Sequence, residues 1–195
     1  EIQFATSTSG QELSSYLVAE SFTASLADDT IIGGSTGADI ITGNVGDDML
    51  LGNAGDDTII GGAGSDVIDG GANGAQGDTV SFMSSVAPYV IDLSLGSLGA
   101  GTATNGADND SLFGIENIIA SDGNDVIKGD EGANWISGLG GDDHITGGDG
   151  ADVISGGSGS DVFIYTSTSN SGMAIGTFDV IKDFDAGTGT TGVDQ

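Results

Sequence analysis

The sequence predicts an all-β fold, a right-handed parallel β-roll. This is a β-solenoid in two stacks, with a β-rich interruption between them and a short N-terminal capping helix. Three observations predict it. A nine-residue period of the form G-x-D-x-(Ile/Leu) runs twice, each time without a break in register. Glycine supplies 37 of the 195 residues, far above the ~7% of ordinary chains. Thirty acidic residues face two basic ones, for a formal net charge of -28.

Residues 1–26 read as an N-terminal cap. Ser9-Gly10-Gln11-Glu12 fits a capping box, and Leu13, Tyr16 and Leu17 follow at helical spacing, predicting a short helix over 10–21. Residues 27–81 are the first repeat block. Its ladder of acids is Asp39, Asp48, Asp57 and Asp66, each with a glycine two residues before and Ile41, Leu50, Ile59 or Ile68 two residues after. Asp29-Thr30-Ile31 enters one residue out of register, and Asp78-Thr79-Val80 leaves after the loop 70–77.

Residues 82–121 break the period. Val90–Leu95 alternates like a strand, 96–110 is turn-rich, and Leu112–Ile119 is apolar again. Longer strands and wider loops that continue the stack are expected, because about 40 residues hardly bury a core alone. Residues 122–165 form the second block, with Asp125, Asn134, Asp143, Asp152 and Asp161 on the ladder and Ile127, Ile136, Ile145, Ile154 and Phe163 as apolar partners. Residues 166–195 close the chain with flanking strands, one of them over Phe178–Phe184.

Within the unit Gly61–Asp69 the glycines allow a sharp positive-φ turn. The last three residues suit a short strand that points Ile68 inward and Val67 and Asp69 outward. Two units make one coil. Turns in one column then stack at roughly 4.8 Å, so turn carbonyls and the acid of a neighbouring coil can surround one ion. The ligand chemistry favours calcium, which accepts six to eight oxygens in flexible geometry, over magnesium, which demands a tight octahedron. Transition metals lack their preferred His and Cys.

Composition excludes other partners. Lys128 and Lys182 are the only basic residues, so nothing neutralises phosphates or an anionic membrane. No cysteine offers a disulfide or thiolate site, and no apolar stretch approaches the ~18 residues of a membrane span. Gly33-Gly34-Ser35-Thr36-Gly37 matches G-x-S-x-G but lies in a repeat turn without strand-to-helix context. His144 is read as a surface residue, the triplet Asn109-Asp110-Ser111 as a chance glycosylation match, and no H-E-x-x-H occurs. The segment is expected to be non-catalytic.

The units Gly61–Asp69, Gly147–Ser155 and Gly156–Ile164 resemble the glycine-rich nonapeptides of the RTX (repeats-in-toxin) family. Asp161–Tyr165 with Asp179–Phe184 resembles the end of such blocks, and Ile115-Glu116-Asn117-Ile118 the segment leading into one. The resemblance implies multiple Ca²⁺ ions held by Asp39, Asp48, Asp57, Asp66, Asp143, Asp152 and Asp161, with Asp78 and Asp125 at block edges and Asn134 as a weaker, neutral ligand. It also implies backbone contributions from Gly52, Gly61, Gly62, Gly64, Gly138, Gly147, Gly148, Gly150, Gly156, Gly157 and Gly159. Ser35, Asn44 and Asn53 depart from the pattern at the second glycine, and an inserted residue precedes Asp39. Asp39 and Asn134 are therefore the two positions where a full site is least expected.

For the whole protein the resemblance implies type I secretion machinery as a partner and an extracellular or cell-surface place. A surface adhesin or toxin region is one parent. The alternative is a secreted protease, lipase or epimerase whose catalytic domain precedes Glu1. Met49 with Leu51, and Trp135 with Val153, are expected as apolar spots on outward sheet faces. They would be covered by other parts of the protein, or bind a surface polysaccharide or a linked catalytic or adhesive domain.

Overall fold

The computed structural model describes residues 21–33, 36–94, 100–166 and 178–184. The expected capping helix, and Gly34 and Ser35 of the G-x-S-x-G match, lie outside the described residues. Within them the chain is all-β, without a helix, and its parallel sheets form a β-solenoid. In chain order the strands are β1 (Ser21–Thr23), β2 (Thr30–Ile32), β3 (Ile40–Val45), β4 (Met49–Leu51), β5 (Ala54–Gly55), β6 (Thr58–Ala63), β7 (Val67–Asp69), β8 (Ala72–Asn73), β9 (Thr79–Ser81), β10 (Val90–Asp92), β11 (Ala100–Thr104), β12 (Asn109–Phe113), β13 (Asn117–Ile119), β14 (Val126–Lys128), β15 (Trp135–Ser137), β16 (His144–Thr146), β17 (Val153–Ser155), β18 (Val162–Phe163) and β19 (Val180–Ile181).

The chain divides into two compact units. One comprises residues 1–81 and 106–115, the other 82–105 and 116–195. In the first unit, β1, β3, β6 and β9 pair in parallel, as do β2, β4, β7 and β12. Coil after coil, the register aligns Phe22, Ile41, Ile59 and Val80 on one sheet and Ile31, Leu50, Ile68 and Leu112 on the other. The interior is this pair of apolar rows: Ile41, Leu50, Ile59, Ile68 and Val80 are wholly buried. Ile68 points in while Val67 is exposed, as the unit's alternation predicts.

The second unit repeats the plan. Here β13, β15, β17 and β19 run parallel and stack Ile118, Ile136, Ile154 and Ile181. Opposite them β10, β14, β16 and β18 stack Ile91, Ile127, Ile145 and Phe163. One pairing departs from the expected stack: β11 runs antiparallel to β10, with Ala103 opposite Ile91. Otherwise the irregular segment supplies strands in register, β12 beside β7 in the first unit and β10 and β13 beside β14 and β15 in the second. His144 lies exposed on the outward row between Val126 and Val162. Met49 and Trp135 are likewise exposed on outward rows, Met49 beside Val67 and Trp135 beside Val153.

Candidate metal centre

Every acid of the ladder is placed the same way, at the turn just before a strand, and turned inward. Asp39, Asp48, Asp57, Asp66, Asp78, Asp125, Asp143, Asp152 and Asp161 are no more than 2% exposed. Acids nine residues apart fall on opposite sides of a coil, and those eighteen apart share a column. In each column the carboxylate Oδ1 accepts the backbone N–H of the ladder residue one coil earlier. Asp39 N–H donates to Asp57 (2.8 Å), Asp57 to Asp78 (2.7 Å), Asp48 to Asp66 (2.9 Å), Asp125 to Asp143 (2.8 Å), Asn134 to Asp152 (2.9 Å) and Asp143 to Asp161 (3.0 Å). One oxygen of each accepting acid is thereby fixed by the backbone.

The other oxygen is the chemically interesting one. Oδ2 of Asp48, Asp57, Asp66, Asp143 and Asp152 is buried and has no hydrogen-bond partner. A buried carboxylate oxygen left alone is costly, because neither water nor a protein donor offsets its charge. The first glycine of each turn makes room for it. A Cβ on Gly43 would meet Asp48 Oδ2 and the Gly61 carbonyl, one on Gly52 the oxygens of Asp57 and Gly70, and one on Gly138 those of Asp143 and Gly156, all inside normal contact distance. Gly61, Gly147 and Gly156 leave the same space beside Asp66, Asp152 and Asp161. Thus at Asp48, Asp57 and Asp143 an acid oxygen and a carbonyl from the next coil crowd one small space with no donor between them. Oxygens so arranged repel unless a cation joins them, and a carboxylate with backbone carbonyls is a calcium-type donor set. Among the described residues no three acidic or histidine side chains converge on one point, so the charge at each position comes from single carboxylates.

The remaining glycines named from the sequence serve the close stacking of turns. Gly62, Gly64, Gly148, Gly150, Gly157 and Gly159 all have positive φ. A side chain on any of them would strike the backbone carbonyl of a neighbouring coil, that of Asn44 at Gly62 and that of Gly132 at Gly150. Asn44 (φ 76°), Asn53 (φ 75°) and Leu139 (φ 71°) hold the same left-handed turn position without being glycine. Asn44 donates from Nδ2 to the Ala24 carbonyl (2.7 Å) and Asn53 to that of Gly33 (3.0 Å).

Burial shifts the acids as expected of charges taken from water. It is the first cause at each, with neighbouring carboxylates adding to it. Asp66 and Asp152 rise to about 6 and Asp143 to about 7, while Asp48, Asp57 and Asp125 also rise.

Two ladder members escaped the sequence reading. Asp110 is buried, accepts the N–H of Asp66 (3.0 Å) and is pushed up to about 7, again by burial first. Asp179 accepts the N–H of Asp152 (2.9 Å), and its buried Oδ2 has no hydrogen-bond partner. Neither has the glycine two residues before, but both keep the D-x-(Leu/Ile) half of the motif, in Asp110-Ser111-Leu112 and Asp179-Val180-Ile181. At the two positions named as weakest the geometry differs. The space at Gly33 is wider, with Asp39 Oδ2 at 3.2 Å and the Gly52 carbonyl at 2.9 Å from the added Cβ. Asn134 spends its amide on protein partners, donating to the Glu116 carbonyl (2.7 Å) and to Asp130 (3.1 Å).

The family model of the RTX calcium-binding nonapeptide repeat matches the chain four times, over residues 23–59, 42–73, 110–143 and 129–163. The chain belongs to this RTX family. Together the four copies cover more than half of the 195 residues and take in both ladders. No curated protein matches the chain. As RTX repeats, the stacked turns imply multiple calcium ions, and the lone buried oxygens are where this chain has donors to offer them.

Proposed function

We propose that this RTX chain is a non-catalytic module that is unfolded at low calcium, folds on calcium binding after type I export, and so stabilises an extracellular bacterial protein. A surface adhesin or toxin region is the parent this reading favours. The observation that carries it is the set of buried carboxylate oxygens without a donor, in a chain with only two lysines. Lys128 sits at the surface, 3.5 Å from Asp92, and leaves the ladder uncompensated. Each buried, unpaired ion costs several kcal/mol after relaxation, so the apo fold opposes itself at each coil that carries such an oxygen.

Bound calcium would offset that charge and accept oxygens from adjacent coils. Extracellular calcium modules bind with Kd of about 10⁻⁴–10⁻³ M, which keeps such a chain empty in a low-calcium cytosol. A filled site adds RT ln(1 + [L]/Kd), about 2.7 kcal/mol at a hundredfold excess over Kd. Several weak sites acting on one stack therefore yield a cooperative transition. The test is a calcium titration followed by circular dichroism. A coil-to-β transition reversed by chelator and poorly supported by magnesium is expected. A chain that keeps its β-spectrum in excess chelator would sink the folding-switch reading.

A further inference from the structure

In turns of the regular length the ladder acids divide into two kinds according to the residue four positions before them; ahead of Asp78 the loop 70–77 is longer, Gly74 has no positive φ, and the left-handed residue beside Gly70 is Gly71 (φ 100°). At Asp48, Asp57, Asp66, Asp143 and Asp152 that residue is Asn44, Asn53, Gly62, Leu139 or Gly148, each with positive φ between 71° and 112°. Their Oδ2 atoms are the buried oxygens without a hydrogen-bond partner. At Asp29, Asp125 and Asn134 the residue is Ser25, Ser121 or Asp130, none of them with positive φ. There its N–H turns back onto the side chain: Ser25 donates to Asp29 Oδ2 (2.8 Å), Ser121 to Asp125 Oδ2 (2.9 Å) and Asp130 to Asn134 Oδ1 (3.0 Å). Ser25 Oγ adds a bond to Asp29 Oδ2 (2.6 Å), and Ser121 Oγ lies 2.9 and 3.0 Å from the two oxygens of Asp125.

We infer that, in turns of the regular length, the conformation of the residue four before the ladder acid decides whether that position takes calcium. Left-handed turns leave the oxygen open. Ordinary turns close it with a backbone donor, so Asp29, Asp125 and Asn134 hold no ion. The physical reason is a competition for one oxygen. An N–H aimed at a carboxylate and a cation aimed at the same oxygen repel each other, and the N–H is withdrawn only when the turn inverts. A β-carbon resists that inversion. Glycine is one way to meet the condition, and Asn44, Asn53 and Leu139 show that it is the backbone angle that matters. Asp125 matches the repeat consensus yet has both carboxylate oxygens occupied, Oδ1 by the N–H of Tyr89 (2.6 Å) and Oδ2 by Ser121.

The inference rests on the calcium reading above, and stoichiometry separates the two. Bound ions are counted by equilibrium dialysis of the 195-residue chain at saturating calcium. Asp125→Asn is expected to bind as many ions as the parent chain, and Asn134→Asp to gain none. Asp143→Asn should bind one fewer, as should Asp152→Asn if the first variant does not fold. Pairing Asp130→Gly with Asn134→Asp should add one ion. Loss of an ion in Asp125→Asn, or a gain in Asn134→Asp alone, overturns the inference. A parent chain that binds no calcium defeats the module reading instead. Closure is then read from hydrogen exchange, where the Ser121 and Asp130 amides should be protected in every folded state. Exchange of the Ser121 amide as fast as in the unfolded chain, while Ile127 stays protected, overturns closure on its own.

Discussion

The two units use one nine-residue period in different ways. The first presents open acids at Asp48, Asp57 and Asp66, and its left-handed turn residues Asn44 and Asn53 are tied to a neighbouring coil by their own side chains. Its loop 70–77 is held by Asp56, whose carboxylate accepts the N–H groups of Ala75, Gln76 and Gly77. Those bonds place the Asp56 carboxyl below the usual range. The second unit begins on the closed positions Asp125 and Asn134, with the rings of Phe82 and Tyr89 packed at 4.4 Å. Only then does it open, at Asp143 and Asp152. An acid that caps the backbone needs no cation, whereas an acid that faces carbonyls does. Calcium dependence should therefore be unequal along the chain.

Chelation should give the largest effect and the sharpest test of that inequality. Hydrogen exchange by mass spectrometry in excess chelator should show protection lost across residues 40–69 first, and retained longest around 118–128. Equal loss in both regions would remove the distinction. Next in size, Ile68→Ala and Ile136→Ala each delete a wholly buried side chain and should destabilise the calcium-loaded chain by about 2–5 kcal/mol in denaturant unfolding. Asp152→Ala should then move the calcium midpoint upward. Asp69→Ala, one residue beyond the inward Ile68 and on the outward side, should leave it almost unchanged.

A smaller effect concerns acid. Asp66 and Asp152 rise to about 6, and Asp110 and Asp143 to about 7, from an unfolded value of 3.8. Groups raised on folding favour the folded state below their unfolded pKa and lose that contribution as pH climbs through the folded one. Without calcium the chain should thus gain β-structure near pH 4 and lose it between about pH 6 and 7, read by circular dichroism in chelator. The smallest contrast lies in the turns. Leu139→Gly relieves a left-handed angle that its apolar side chain cannot offset with a hydrogen bond and should stabilise by about 1 kcal/mol. Asn53→Gly also gives up its bond to Gly33 and should come out near zero.

The period was enough to place the coils, the inward row of Ile and Leu, and the acid column, because each depends on spacing alone. Strands 18 residues apart pair in parallel with Ile41 on Ile59 and Ile127 on Ile145, as a two-unit coil demands. Asp110 and Asp179 were not legible because they reach the ladder across a 44-residue and a 27-residue gap, where no fixed spacing announces them. Nor was the closed state of Asp125, since it depends on the φ of Ser121, an angle that a serine in the sequence does not declare. Leu139 illustrates the converse, a side chain that argues against the left-handed turn it adopts.

The ladder bonds all run one way: the N–H belongs to the earlier coil and the carboxylate to the later. Within each unit the stack consequently has a direction, and its two ends are chemically unlike. Removing the first coil strips donors from carboxylates that water can readily solvate. Removing 178–184 strips acceptors instead, because Asp179 takes the N–H of Asp152 and Asp183 those of Gly156 and Gly157. Each coil is complete only when its successor is in place, so removing the last coil of a unit should unravel more of that unit than removing its first.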